Sequence, residues 1–222
     1  MAHLEDLVLV IGASGETGSR VVKALLAKNI PVKALVRTPE KAEALQMPGV
    51  EVQVTNLTDP AELQTALEGI KYVITATGAR NFREPIETEA IEVTFINLLS
   101  IAIKTAGTEH IVMCTSLGTD NPEQFPQIAP VLRLKSKAEE VIIGCGVPYT
   151  IVRPGGLVNE PGGVGVLIRS KLEAPGRISR EDVAEVMVQA LLQPEARNKV
   201  VEIINQTGEA PANRSDLFKG IA

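Results

Sequence analysis

Residues Leu7 to Ile11 read Leu, Val, Leu, Val, Ile, with no polar position among them. A short apolar run without alternation marks a strand covered on both faces, as in a parallel sheet. Gly12, Gly15 and Gly18 follow at G-x-x-G-x-x-G spacing. The apolar period then changes. Val21 with Leu25, and Val22 with Leu26, share one helical face, while Lys23 and Lys28 can face water. The chain therefore opens as strand, glycine turn, helix.

The same alternation continues. Pro31 to Val36 predicts a second strand that ends at Arg37. Thr38-Pro39-Glu40 has the makeup of a helix start: a capping hydroxyl, a proline at the first position and an acid at the positive end. Glu51 to Val54 is a third strand. Asp59-Pro60-Ala61-Glu62 repeats the start signal, with an acid three residues after the cap. Tyr72 to Thr75 is a fourth strand, leading into Ala76-Thr77-Gly78-Ala79.

A long helix is expected from about Pro85 to Ala106. Its second half is apolar nearly all round, with Val93, Phe95, Ile96, Leu98, Leu99, Ile101 and Ile103. Such a helix is covered on more than one side, by a neighbouring helix in the first instance or by a second subunit. His110 to Thr115 is a fifth strand, Lys135 to Ile143 a helix and Tyr149 to Arg153 a sixth strand. Ser179-Arg180-Glu181-Asp182 caps a helix carrying Val183, Val186, Met187 and Ala190, and Val200 to Ile204 is the last strand.

This order predicts an α/β fold: a doubly wound parallel sheet of about seven strands with helices on both faces. Ligands of such sheets lie beyond the carboxyl ends of the strands, where the winding reverses. The positions of interest are then Gly12 to Gly18, Arg37, Asn56, Thr75 to Gly78, Thr115, Ser116 and Pro154 to Leu157. Val158 to Arg177 contains Pro161-Gly162-Gly163-Val164-Gly165 and Pro175-Gly176, and reads as loop with at most a short helix. We expect one domain over residues 1–222, with a small substrate-side region at about 155–178 and a shallow cleft suited to large planar ligands.

Composition narrows the function. With 222 residues and 45% hydrophobic positions the chain can bury a substantial core. A net charge of −5 without a basic run gives no footprint for nucleic acid or an anionic membrane. Aromatics are 3% and Trp is absent, which argues against base-stacking platforms. Cys114 and Cys145 lack partners at metal spacing and suggest buried thiols in a reducing compartment. No apolar stretch is long enough to span a bilayer, and a first strand at Leu7 leaves no room for a signal peptide. A cytoplasmic monomer or homodimer is the expectation.

The glycine spacing in its strand–turn–helix context points to a dinucleotide. Gly12 would make the tight turn, Gly15 would let a pyrophosphate approach the backbone, and Gly18 would let helix and sheet pack closely. The unpaired N–H groups of the first helical turn favour an anion. An NAD site usually has an acid at the end of the second strand, whereas a 2′-phosphate needs positive charge there. That position holds Arg37, with Lys41 a turn later, which favours NADP(H) over a merely solvated basic residue.

Six stretches together resemble the atypical short-chain dehydrogenases/reductases. They are Gly12 to Gly18, Leu35-Val36-Arg37, Thr115-Ser116-Leu117-Gly118, Lys135 to Glu140, Pro148 to Leu157 and Glu181-Asp182-Val183-Ala184. The resemblance covers nearly the whole chain. It is closest to plant and cyanobacterial NADP-binding members, including the dehydrogenase-like part of a chloroplast import-translocon subunit and proteins likened to biliverdin IXβ/flavin reductase. It implies that Gly12, Ser14, Gly15, Glu16 and Thr17 surround the pyrophosphate and that Arg37 takes the 2′-phosphate. Asn56 and Leu57 would border the adenine, Thr77 and Gly78 the nicotinamide ribose, and Pro154, Gly155, Gly156 and Leu157 the carboxamide. Ser116 and Lys135 match the family's active-site serine and lysine.

One departure stands out. The family's proton-donating tyrosine lies four residues before the lysine, where this chain has Val131. Tyr72 and Tyr149 fall on strands, His3 in the N-terminal tail and His110 at the wrong end of a strand. A ketone reductase needs that acid. A flavin, quinone or bilin spreads the incoming charge and does not. The expected activity is therefore NADPH-dependent hydride transfer to a flat conjugated small-molecule acceptor, Lys135 orienting the nicotinamide ribose and Ser116 bonding the acceptor or serving only as a turn residue. A non-catalytic module that senses NADP(H) and signals to a protein partner fits the same departure. A sugar-nucleotide epimerase fits less well, since it needs the tyrosine and a larger C-terminal domain.

Overall fold

The computed structural model describes residues 6–78 and 89–221. The first strand, β1 (Val8–Ile11), is buried throughout. Val8 and Val10 join the hydrophobic cluster on one face of the sheet, and Leu9 and Ile11 the cluster on the other. The Gly12 turn leads into α1 (Glu16–Leu26), which places Val21, Val22 and Leu25 on the first face. The chain continues through β2 (Val32–Val36), α2 (Pro39–Glu43), β3 (Val50–Val54), α3 (Pro60–Ala66) and β4 (Tyr72–Thr75). A π-turn at Ala90–Thr94 runs into α4 (Phe95–Ala106), followed by β5 (His110–Cys114) and α5 (Ala129–Gly144). Then come β6 (Tyr149–Pro154), β7 (Gly156–Val158), β8 (Val166–Arg169), β9 (Arg177–Ser179), α6 (Arg180–Leu192) and β10 (Lys199–Asn205).

The main sheet has eight strands in the order β3-β2-β1-β4-β5-β6-β10-β8. Seven run parallel, and β8 pairs antiparallel with β10, Ile168 opposite Ile203. α1 and α6 pack together over the Val8/Val10 face. α3, α4 and α5 supply Leu63, Leu99 and Ala138 to the Leu9/Ile11 face. The winding reverses between β1 and β4, which are direct neighbours, Ile11 opposite Thr75.

The predicted seven parallel strands are present, and β8 is an addition. Its segment lies in the stretch expected to hold at most a short helix. That expectation is corrected: Val166–Arg169 is a strand, and β7 pairs with β9 in a separate two-stranded sheet. The flanking glycines hide four residues that alternate inward and outward, Val166 and Ile168 buried and Arg169 exposed. α5 starts six residues earlier than expected, with Pro130 in its first turn. The Pro85 end of the predicted long helix lies outside the described residues, as does His3. Its second half is one-sided rather than apolar all round: Leu99 and Ile103 are buried against neighbouring helices, whereas Ile101 is 64% exposed. Thr38 holds the cap position of α2 without a side-chain capping bond. Asp59 does cap α3, accepting from the Ala61 and Glu62 N–H groups at 2.9 and 3.1 Å.

His110, at the amino end of β5, is 1% exposed. The Thr150 hydroxyl spends its proton on the Ala196 carbonyl at 2.7 Å, so the 2.9 Å contact with His110 has Nε2–H donating to Thr150. Burial pushes His110 down from 6.5 to about 4. The unfolded chain thus takes up a proton near pH 6.5 that the folded chain refuses until about pH 4. Stability is complete above the unfolded value and falls with pH through this window, by about 3 kcal/mol at 1.36 kcal/mol per unit. Urea unfolding between pH 7 and 4 should show this loss, and H110Q should flatten that part of the profile.

Candidate functional site

The site begins where β1 ends. Gly12 has φ +82°, and a Cβ there would sit 2.8 Å from the Ala76 carbonyl oxygen just past β4. A Cβ on Gly18 would sit 2.1 Å from the Gly12 carbonyl oxygen, so α1 can rest on the turn only if this position is bare. Gly15 differs. Its φ is an ordinary −79°, its N–H donates to Gly12 O at 2.9 Å, and a Cβ would approach that oxygen only to 3.1 Å. Packing demands glycine at positions 12 and 18, and at Gly15 a methyl would crowd only the one carbonyl oxygen. Gly15 also sits at the cap of α1 with no side-chain capping bond, so the first-turn N–H groups face outward without one.

A cavity of about 290 Å³ starts at this turn. Its lining follows the strand ends in sheet order, Asn56 to Thr58 past β3, Arg37 and Lys41 past β2, Gly12, Ser14 and Gly15 past β1, and Thr77 and Gly78 past β4, with Ile91 and Phe95 completing it. Arg37 is exposed just past β2, and no hydrogen bond or ion pair holds its guanidinium among the described residues. Asn56 is fixed from both sides: its N–H donates to Glu62 at 2.8 Å, and its amide oxygen accepts from the Thr58 N–H and hydroxyl at 3.1 and 2.8 Å. Thr55, also in the lining, keeps a buried hydroxyl with no partner among the described residues. A cavity lined by both an uncapped helix start and an exposed guanidinium suits a molecule with anionic groups at both places.

Glu16 stands 62% exposed at the helix start, and Arg180 at the start of α6 pairs with it at 3.1 Å. Arg180 also donates to Asn159 at 3.0 Å, and Arg20 reaches the same amide oxygen at 3.4 Å. These contacts tie the glycine turn to the segment after β7. Thr17 lies in the first turn of α1.

Ser116 past β5, Lys135 on α5, and Pro154 to Leu157 from the end of β6 into β7 lie outside this cavity's lining. Ser116 is half-buried, and its hydroxyl donates to Leu117 O at 3.2 Å. Lys135 is buried on α5, and its ammonium contacts both carboxylate oxygens of Glu92 at 2.9 Å. Gly155 is bare for the sake of the fold, since a Cβ would lie 2.4 Å from the Gly176 carbonyl oxygen. Leu157 is exposed beside it. Val131 fills the expected tyrosine position with a buried side chain. Tyr72 and Tyr149 are the first residues of their strands, at the opposite end of the sheet. Burial pushes the Cys114 thiol up to about 11, so it is no thiolate nucleophile. Among the described residues no cluster of three or more His, Cys, Asp or Glu could hold a metal ion.

A charge network supports the β5 end. Glu139 accepts from Thr115 at 2.6 Å, Thr119 at 3.0 Å and Arg153 Nη2 at 2.6 Å. Arg153 also faces Glu202 at 3.7 Å, whose other oxygen accepts the Leu172 N–H at 2.7 Å. Lys171 bridges Glu202 and Asp120. Ser116 is thus flanked by two threonines held by one buried carboxylate. Sequence spacing gives none of Glu92, Glu139, Arg180 or Glu202 a place in the site: Arg180 stands only in a predicted helix cap, Glu139 only in the Lys135 to Glu140 stretch, and Glu92 and Glu202 in neither. Glu92 and Glu202 carry a signal, because each is a lone acid within an apolar run, Ile91-Glu92-Val93 and Val200 to Ile204.

The chain matches the family model described as NAD(P)H-binding over residues 12–194. Sanguinarine reductase of Eschscholzia californica is 32% identical, the alignment covering 96% of this chain and 95% of that protein. NAD(P)H azoreductase of Xenophilus azovorans is 31% identical over 89% of this chain and 67% of that one. Among solved structures, a candidate NAD-dependent epimerase/dehydratase from Bacillus halodurans superposes with a TM-score of 0.87 at 26% identity, covering 97% of this chain and 100% of that one.

Two substitutions separate packing from access at the turn. G18A should cost more than ~4 kcal/mol in urea unfolding, as the new methyl meets backbone that cannot yield. G15A should cost about 1 kcal/mol, the scale of a capping change. In the charge network, R153M takes the cation from the buried Glu139 carboxylate and should cost ~3–5 kcal/mol by the same measurement.

Proposed function

The chain belongs to the NAD(P)H-binding family, and from that premise we propose that it is an NADPH-dependent reductase of flat conjugated acceptors. The observation that carries this reading is a cavity lined by both the bare Gly15 edge and Arg37, whose guanidinium has no partner among the described residues. The relatives named sanguinarine reductase and NAD(P)H azoreductase support the reductase part.

In this reading Gly12, Ser14, Gly15, Glu16 and Thr17 hold the pyrophosphate, the N–H groups of α1 donating to it. Arg180 offsets the Glu16 carboxylate, which would otherwise repel that anion. Arg37 takes the 2′-phosphate as a forked donor. Asn56 and Leu57 border the adenine. Thr77, Gly78 and Lys135 line the nicotinamide ribose, and Pro154, Gly155, Gly156 and Leu157 border the carboxamide. Bound NADPH supplies a hydride from an oriented carbon. Ser116 donates to the acceptor or to an ordered water. With Val131 in place of an acid, the acceptor must delocalise the incoming charge and take its proton from solvent. That requirement selects flavins, quinones or bilins over simple ketones.

We read residues 1–222 as one Rossmann unit whose acceptor side is the segment 155–178, built on β7, β8 and β9. Cys114 and Cys145 are unpaired, which fits a reducing compartment, and we place the protein in the cytoplasm as a monomer or homodimer. No helix among the described residues is long and apolar enough to cross a membrane.

The test is NADPH oxidation with FMN, a quinone and biliverdin. Turnover with at least one is expected. Tight NADPH binding without turnover would instead favour the sensing module. R37S should raise the KM for NADPH ~10–100-fold, the value of a lost charge-assisted pair, and leave that for NADH within about twofold.

A further inference from the structure

The Glu92–Lys135 pair lies against the surface residue Gly78. A Cβ built on Gly78 would sit 3.7 Å from Glu92 Oε1 and 3.9 Å from Lys135 Nζ. Gly78 is exposed and lines the cavity, while the Glu92 and Lys135 side chains are 3% and 11% exposed. Glu92 comes from the π-turn Ala90–Thr94, whose next-door Ile91 also lines the cavity. Such turns are rare and recur at functional sites.

Lys135 also has a carboxylate within reach along its own helix. Glu139 is one helical turn away on α5, the usual geometry for a supporting ion pair. Glu139 is instead committed to Arg153 and two threonines. Lys135 is thereby directed to a carboxylate on another segment, at the edge of the cavity. Taking both charges out of water is costly, and a pair of apolar residues would serve the core equally well.

We propose that Glu92 is a positioning residue for the nicotinamide-ribose subsite. It clamps the Lys135 ammonium beneath Gly78, so that the hydrogen not spent on the carboxylate is aimed at the hydroxyls of that ribose. This rests on the cofactor reading above and adds a residue to it. Glu92 serves the half of the dinucleotide that NADPH and NADH share, whereas Arg37 serves the half in which they differ.

The experiment measures dissociation constants for NADPH, NADH and adenosine 2′,5′-bisphosphate by calorimetry, with urea unfolding alongside. The proteins are wild type, E92Q, E92D, K135M and E92Q/K135M. E92Q should weaken NADPH and NADH alike, by about tenfold, the value of one hydrogen bond to a charged group. It should leave the bisphosphate, which has no nicotinamide ribose, within twofold. E92Q should also lower stability by stranding a buried ammonium, and the double variant should recover that stability without recovering dinucleotide affinity. E92D should retain part of the affinity. If the double variant binds NADPH within twofold of wild type, or if E92Q weakens the bisphosphate as much as the dinucleotides, Glu92 is only a brace and the proposal falls. Wild type that binds NADPH but reduces no acceptor defeats the reductase reading alone, and the affinities still decide the role of Glu92.

Discussion

The front of this molecule is set by one steric contact, a carbonyl oxygen resting against a bare α-carbon. Gly12 O occupies the space that any side chain at position 18 would need. The contact seats the start of α1 on the end of β1, and the Ala76 carbonyl wedges against Gly12 from β4. Three backbone segments therefore meet at the reversal of the winding without an intervening side chain. The outward N–H groups of α1 are held by packing alone and need no ligand to arrange them. Preorganisation of this kind lowers the ordering cost of binding.

Much of this was legible in advance because it rests on local rules. Leu7 to Ile11 without a polar residue specifies a strand buried twice, and the clusters on its two faces divide Val8 and Val10 from Leu9 and Ile11 as strand geometry requires. Asp59 with Pro60 specifies a helix start and caps one. Thr38 with Pro39 carries the same signal and makes no capping bond, because its hydroxyl is bonded to the Glu40 carboxylate instead. β8 was hidden by its glycine-rich surroundings. Its evidence is a partner strand more than thirty residues away, and no local period records that pairing.

The site divides in the same manner. The glycine turn and Arg37 follow from spacing and charge, and both stand at the cavity. The partners of the charged residues do not follow. Lys135 and Glu139 look like a helical pair and belong to separate networks, one reaching to the π-turn and the other across to β6 and β10. Those choices depend on which elements become neighbours in the sheet. A lone acid in an apolar run announces that a partner exists, and only topology names it.

The reversed strand at the sheet's end also limits growth. Extending a parallel sheet by one more strand requires another crossover of a dozen residues or more. β8 instead completes the layer with four residues folded back along β10, and it adds no helix. Its exposed rim is correspondingly short, and a short rim gives another chain little backbone to template upon. One flank of the sheet is thereby closed by a segment of four residues rather than by another strand–helix unit.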